Sequence, residues 1–210
     1  MKKGRVLKLW HFGEMFEFFK KNNLLMILTL FFIGGFCFGI YFCSKETGLF
    51  DFSKRYIADY ISNRTGYSFI SVLFRSFFSS MLFIAVCFIS GSSMLGIILV
   101  PFICSAKGLL LGTVAANLYI GNSLNGIAFY AVLILPSAVI SVIAIILASK
   151  ESIWFSLLLA RLTFPSTSPK NLSFDFKNYC VKYLSISAIC FASALLDAIL
   201  SVNFLKSFNI

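Results

Sequence analysis

Phe88 to Gly112 reads Phe-Ile-Ser-Gly-Ser-Ser-Met-Leu-Gly-Ile-Ile-Leu-Val-Pro-Phe-Ile-Cys-Ser-Ala-Lys-Gly-Leu-Leu-Leu-Gly, and it sets one lysine, Lys107, deep in apolar sequence that also carries Pro101. An unpaired ammonium in hydrocarbon costs at least about 2.5–3.5 kcal/mol even on lenient insertion scales. Lys107 is therefore expected to face a partner, a cavity or another helix.

The rest of the chain shares this apolar character. It has 210 residues, of which 59% are hydrophobic and only 12% charged, and its mean hydropathy is +0.91. A soluble domain of this length exposes far more polar surface, so the composition predicts one integral membrane domain of α-helices. Apolar runs predict five transmembrane helices over about 24–42, 69–90, 94–119, 127–149 and 183–205. Three amphipathic stretches predict interfacial helices over about 5–20, 50–62 and 151–164; the last is too short to cross a bilayer and is closed by Pro165 and Pro169. The first run ends in Phe, Tyr and Cys rather than an A-x-A site, which predicts a retained anchor instead of a cleaved signal peptide.

Glycine and proline mark where helices approach and bend. Gly35 and Gly39, and again Gly108 and Gly112, have the four-residue spacing that lets a second helix come close. Gly91 lies in the tight turn after the second span, Gly96 just beyond it, and Asn122, Asn125 and Gly126 bound a short loop. Pro101 and Pro136 each remove a backbone hydrogen bond inside a span, so kinks are expected at both.

The net charge of +10 is dispersed at the ends of apolar runs, which fits membrane topology and anionic headgroups better than nucleic acid. Six Lys or Arg precede the first span and five lie between Lys150 and Lys182, against four in the 44–68 connection and one in the tail. The positive-inside rule then predicts a bacterial cytoplasmic membrane protein with its N-terminus inside and its C-terminus outside. The 44–68 connection is the main outward segment, and Lys54, Arg55, Tyr56, Asp59 and Tyr60 are its candidate docking surface. Asn63-Arg64-Thr65 and Asn171-Leu172-Ser173 match glycosylation sequons, a common chance pattern that nothing else in the sequence supports.

Three charged residues fall inside spans. Counted at about 1.5 Å per residue from the inner ends, Arg75, Lys107 and Asp197 share one depth, which predicts an intramembrane polar cluster with Asp197 paired to one or both cations. The six cysteines, at 37, 43, 87, 104, 180 and 190, lie in or beside spans without a C-x-x-C and read as small packing residues. His11, the one histidine, precedes the first span, and no two carboxylates converge inside the bilayer, so neither catalysis, a cofactor nor a metal is expected.

The ordered set Phe88-Ile89-Ser90-Gly91, Gly96, Val100-Pro101, Lys107-Gly108 and Gly112, followed by Leu135-Pro136 and Trp154-Phe155-Ser156-Leu157, resembles the stage II sporulation protein M family of bacterial membrane proteins. The resemblance runs from the first span to Trp154 and its neighbours; it leaves out the arm carrying His11 and the tail from Asn203. It implies about five spans and a scaffold that assembles with sporulation proteins D and P, two peptidoglycan-degrading partners, to thin septal wall and drive engulfment. A different class, a transporter or permease subunit working with a separate ATPase, follows from proline-bearing helices with intramembrane charge. A polar cavity reaching Lys107 from one face favours the transporter, and a dry, packed lysine favours the scaffold.

Overall fold

The computed structural model describes residues 23–45, 54–55, 58–59, 69–163 and 172–204. The interfacial helix expected over 5–20, most of the one over 50–62, and Tyr56 and Tyr60 with it, lie outside these residues. The described chain is helical throughout: α1 Asn23–Ser44, α2 Phe69–Gly91, α3 Gly96–Phe129, a π-helical turn Tyr130–Ile134, α4 Leu135–Thr163 and α5 Leu172–Phe204. Five stretches are long and apolar enough to cross a membrane, ending with Gly96–Gly121, Ser123–Ala160 and Phe174–Asn203. A 22-residue helix such as α1 is about 33 Å long, a match for a hydrocarbon core about 30 Å thick. Phe38, Phe74, Phe78, Phe102, Leu124 and Leu184 are among many large apolar side chains that point away from the bundle, as lipid-facing residues do.

Helix α1 packs chiefly on α3, whereas α2, α4 and α5 pack on one another and α4 also contacts α3. The α1–α3 contact is set by the four glycines. A Cβ on Gly35 would overlap the Ser105 carbonyl and one on Gly39 the Leu109 carbonyl; in return, Gly108 lies against Phe32 and Gly112 against Phe36. Each helix thus offers a bare backbone patch to the other, and close van der Waals approach replaces the hydrophobic drive that lipid cannot supply. Cys43 extends the seam, its thiol 3.6 Å from the Thr113 carbonyl oxygen.

Three expectations about the helices change. The loop over 122–126 is absent as such: helical backbone continues through it, broken at Ser123 (φ 47°, ψ −125°), so the polar Asn-Gly cues mark one sharp break between two spans. Helix α3 keeps helical backbone at Pro101, as a proline kink allows, while the irregularity tied to Pro136 lies upstream as the π turn, in which the Leu135 N–H donates to the Tyr130 carbonyl five residues back.

The third change concerns 151–164, which is not a separate interfacial helix up to its last described residue. Residues 151–163 continue α4, because no helix breaker precedes Pro165 and because Ser152 and Ser156 are buried against the α2–α3 turn. Helix α5 begins at Leu172, ahead of the expected 183, with Asp175 in its first turn where a carboxylate favours the helix dipole. Ser123–Ala160 has 38 residues, or about 57 Å of helix, so the α4–α5 hairpin extends well past the thickness of a hydrocarbon core.

Candidate functional site

Two polar regions occupy the interior. The first lies at the α2–α3 turn, and its buried side-chain polar atoms all have partners. Ser152 Oγ donates to the Ala148 carbonyl at 2.9 Å, four residues back in its own helix, and reaches the Cys87 carbonyl at 2.8 Å. It also contacts the Tyr183 hydroxyl. The Tyr183 hydroxyl reaches the Ala148 carbonyl at 2.9 Å, the Tyr179 hydroxyl donates to the Phe88 carbonyl at 3.1 Å, and Ser156 Oγ donates to the Ser93 carbonyl at 2.6 Å. Ser149 Oγ lies 3.0 Å from Cys104 and 3.6 Å from Cys87. All of these bonds except that of Ser152 to Ala148 run between elements, so they fix how α4 and α5 dock on the end of α2. Phe88, Phe155, Tyr179 and Tyr183 pack around them with ring centroids 4.5–5.0 Å apart, Tyr179 stacked on Phe88 and Phe155 and Tyr183 edge-on to Phe88. Outside this cluster, Lys182 pairs with Glu151 at 2.6 Å and lies over the Trp154 ring.

The second region is a cavity of about 190 Å³ between α2, α3, the π turn, α4 and α5. Arg75, Lys107 and Asp197 all line it, together with Asp59 from the connection between α1 and α2. Six serines complete its polar wall: Ser76, Ser79 and Ser80 from α2, Ser137 and Ser141 from α4, and Ser193 from α5. Asp197 is only 3% exposed and accepts a 3.4 Å hydrogen bond from Ser137 Oγ; Ser193 Oγ holds the Ser137 carbonyl at 2.7 Å. Asp59 and Arg75 are exposed, so the cavity reaches the protein surface. Toward the α2–α3 turn it is bounded by the core that contains Ile84, Cys87, Ile145 and Cys190, and on its other flank Ile134 joins a smaller cluster around Leu118, Phe129 and Leu133.

The three charged residues share this space without the ion pair expected of them. Among the described residues, neither Arg75 nor Lys107 forms a hydrogen bond or ion pair, and the Lys107 ammonium instead lies 4.9 Å from the centre of the Phe83 ring. The cavity supplies the polar surroundings that a direct Asp197 partner was expected to give. Of the docking residues, Lys54 and Arg55 are exposed and helical, and Asp59 belongs to the cavity wall. Gly91 and Gly96 sit in the turn cluster, where a Cβ on Gly91 would lie 2.5 Å from the Tyr179 hydroxyl and one on Gly96 would overlap the Ser90 carbonyl. Among the described residues, no group of three His, Cys, Asp or Glu side chains is placed to hold a metal. The cysteines are free thiols, with Cys43, Cys87, Cys104 and Cys190 buried in helix contacts.

The serines and tyrosines were missed by the sequence reading. Serine is abundant in these spans, and Tyr179 lies in a stretch that reads as a polar connection. The usable signal was helical spacing: Ser149, Ser152 and Ser156 recur at three and four residues, as do Tyr179 and Tyr183, so each set shares one helix face.

Five apolar helices, four of them around a charged cavity, define a multi-pass α-helical membrane protein. No curated protein and no solved structure matches the chain. The family model described as stage II sporulation protein M matches residues 28–202, all five spans included or nearly so, and the chain belongs to that family.

Proposed function

We propose that this protein is a non-enzymatic scaffold of the bacterial cytoplasmic membrane, N-terminus inside, that recruits peptidoglycan-remodelling partners. Membership of the stage II sporulation protein M family across residues 28–202 carries this reading. The bundle adds support: its glycine seam and its turn cluster hold helices rigidly against one another, as a platform for partners requires. Lys54 and Arg55 are exposed, on the connection that this orientation puts outside, where such partners would meet them.

The cavity favours a second reading, a transporter or permease subunit served by a separate ATPase. A polar cavity lined by Lys107 is what a carrier needs. The scaffold stays first because family membership across residues 28–202 carries it, while an alternating-access carrier also closes its site on one side at a time, so the core at the α2–α3 turn does not separate the two.

Affinity purification of the full chain from its native membranes separates the two. Peptidoglycan hydrolases recovered with wild type, and lost with Lys54→Glu combined with Arg55→Glu at an unchanged membrane level, support the scaffold. Stoichiometric recovery of an ATPase without hydrolases overturns it in favour of transport.

A further inference from the structure

The cavity has a charge pattern that neither reading uses, and an opening beside lipid-facing side chains. Two cations, Arg75 and Lys107, and two carboxylates, Asp59 and Asp197, face one space of about 190 Å³. Neither cation has a hydrogen bond or ion pair among the described residues. Charge inside a membrane protein is retained where it meets a partner or lines a polar path. A plain anion entering here meets the carboxylates, and a plain cation meets Arg75 and Lys107. A zwitterion, with an acidic oxyanion at the cations and an ammonium at the carboxylates, is favourable to both.

The opening indicates where the zwitterion comes from. Arg75 and Ser79 stand one helical turn apart on α2, both exposed and both lining the cavity. Phe74, Phe78 and Leu82 around them are 65%, 72% and 54% exposed, on the apolar surface that contacts acyl chains. The cavity mouth is thus bordered by lipid-facing side chains, and a ligand with tails fits without burying them in the bundle.

We propose that this cavity is a binding site for a zwitterionic headgroup that joins a phosphate to a primary amine, presented by a phospholipid lying against α2 between Phe74 and Leu82. The phosphate is held by Arg75 and Lys107, with serine hydroxyls as further donors, and the ammonium by Asp197 and Asp59. The site depends on neither functional reading, since a scaffold or a carrier can each hold such a lipid.

The test uses the full-length protein in a neutral maltoside detergent, its thermal unfolding followed with four separate additives: dioctanoyl phosphatidylethanolamine, dioctanoyl phosphatidylglycerol, dioctanoylglycerol and free phosphoethanolamine. Phosphatidylethanolamine should raise the midpoint saturably, by about 5–10 °C at a hundredfold excess over its Kd. The shift should fall to the level given by dioctanoylglycerol in Arg75→Gln and in Lys107→Met. An equal shift with phosphoethanolamine alone supports the same headgroup chemistry and makes its source a soluble zwitterion. Equal shifts with phosphatidylglycerol or dioctanoylglycerol overturn the proposal, as does no shift with any additive. The comparison among additives on wild type decides the matter even where a variant fails to fold.

Discussion

Gly91 of α2 lies so close to Ser152 of α4 that a Cβ on the glycine would stand 2.7 Å from the serine Cα. A backbone atom cannot swing aside as a side-chain tip can, so the close approach depends on the missing methyl. The same spot lies beneath the Tyr179 hydroxyl, which donates to the Phe88 carbonyl one turn earlier. One bare position therefore lets the α4–α5 hairpin dock and lets the turn cluster form.

Gly91→Ala is expected to destabilise the bundle by about 1–3 kcal/mol, the usual cost of overpacking. Gly34→Ala is the control, because a Cβ there meets nothing within 4 Å. It should be neutral or slightly stabilising, since alanine is the better helix former. Thermal unfolding in detergent checks both, and equal behaviour of the two variants contradicts the packing argument.

The α1–α3 seam makes a related prediction with a different readout. Gly108→Leu places a large side chain against the Phe32 carbonyl and should force α1 off α3, whereas Gly121→Leu, with open space around its Cβ, should not. Co-expressing residues 1–60 and 61–210 as separate fragments and measuring their co-purification reads the seam directly. Wild-type recovery with Gly108→Leu would refute it.

Hydrogen bonds at the turn cluster should outweigh the ion pair beside it. Tyr183→Phe removes a buried hydroxyl shared with Ser152 and the Ala148 carbonyl, and a loss of about 0.6–1.5 kcal/mol is expected. Glu151→Gln removes a pair whose lysine side chain is 51% exposed, and should cost at most about 1 kcal/mol. Chemical unfolding of both variants gives the order, which reverses if the ion pair is what anchors the hairpin.

Legibility in the sequence followed the strength of each physical signal. Long apolar runs have one explanation, so the starts of α1 and α2, expected at 24 and 69, fall at Asn23 and Phe69. The extension of α4 past Ser149 was hidden because Lys150 and Glu151 look like the end of a helix. They mark only a change in its surroundings, and Lys182 on α5 meets Glu151 at that level. Depth counting put Arg75, Lys107 and Asp197 at one level because helical rise is fixed. It carried no information on azimuth, and so could not tell a direct ion pair from three groups around a cavity. Ser137 and Ser141 were invisible for another reason: each hydroxyl bonds a carbonyl three residues back in its own helix, a habit of serine in membrane spans that leaves no pattern in sequence.

The cavity makes the last prediction, on charge balance. Asp197 is buried beside Ser137, and its carboxylate is the negative group deepest in a space that also holds two cations. Asp197→Asn keeps the shape and a hydrogen-bonding partner for Ser137 but removes the negative charge, leaving Arg75 and Lys107 less compensated in a medium of low dielectric. Folded yield should drop. Adding Lys107→Met removes one cation at similar length, so the double variant should recover part of the loss, with a coupling of about 0.5–3 kcal/mol. Direct contact is not required for this, because charges across a small cavity inside an apolar bundle are screened less than in water. Leu111→Met, also on the cavity wall but without charge, should show no such rescue when combined with Asp197→Asn. Measuring folded protein for the two singles and each double gives the coupling. If Lys107→Met rescues no better than Leu111→Met, the cavity is balanced by water and not by Asp197.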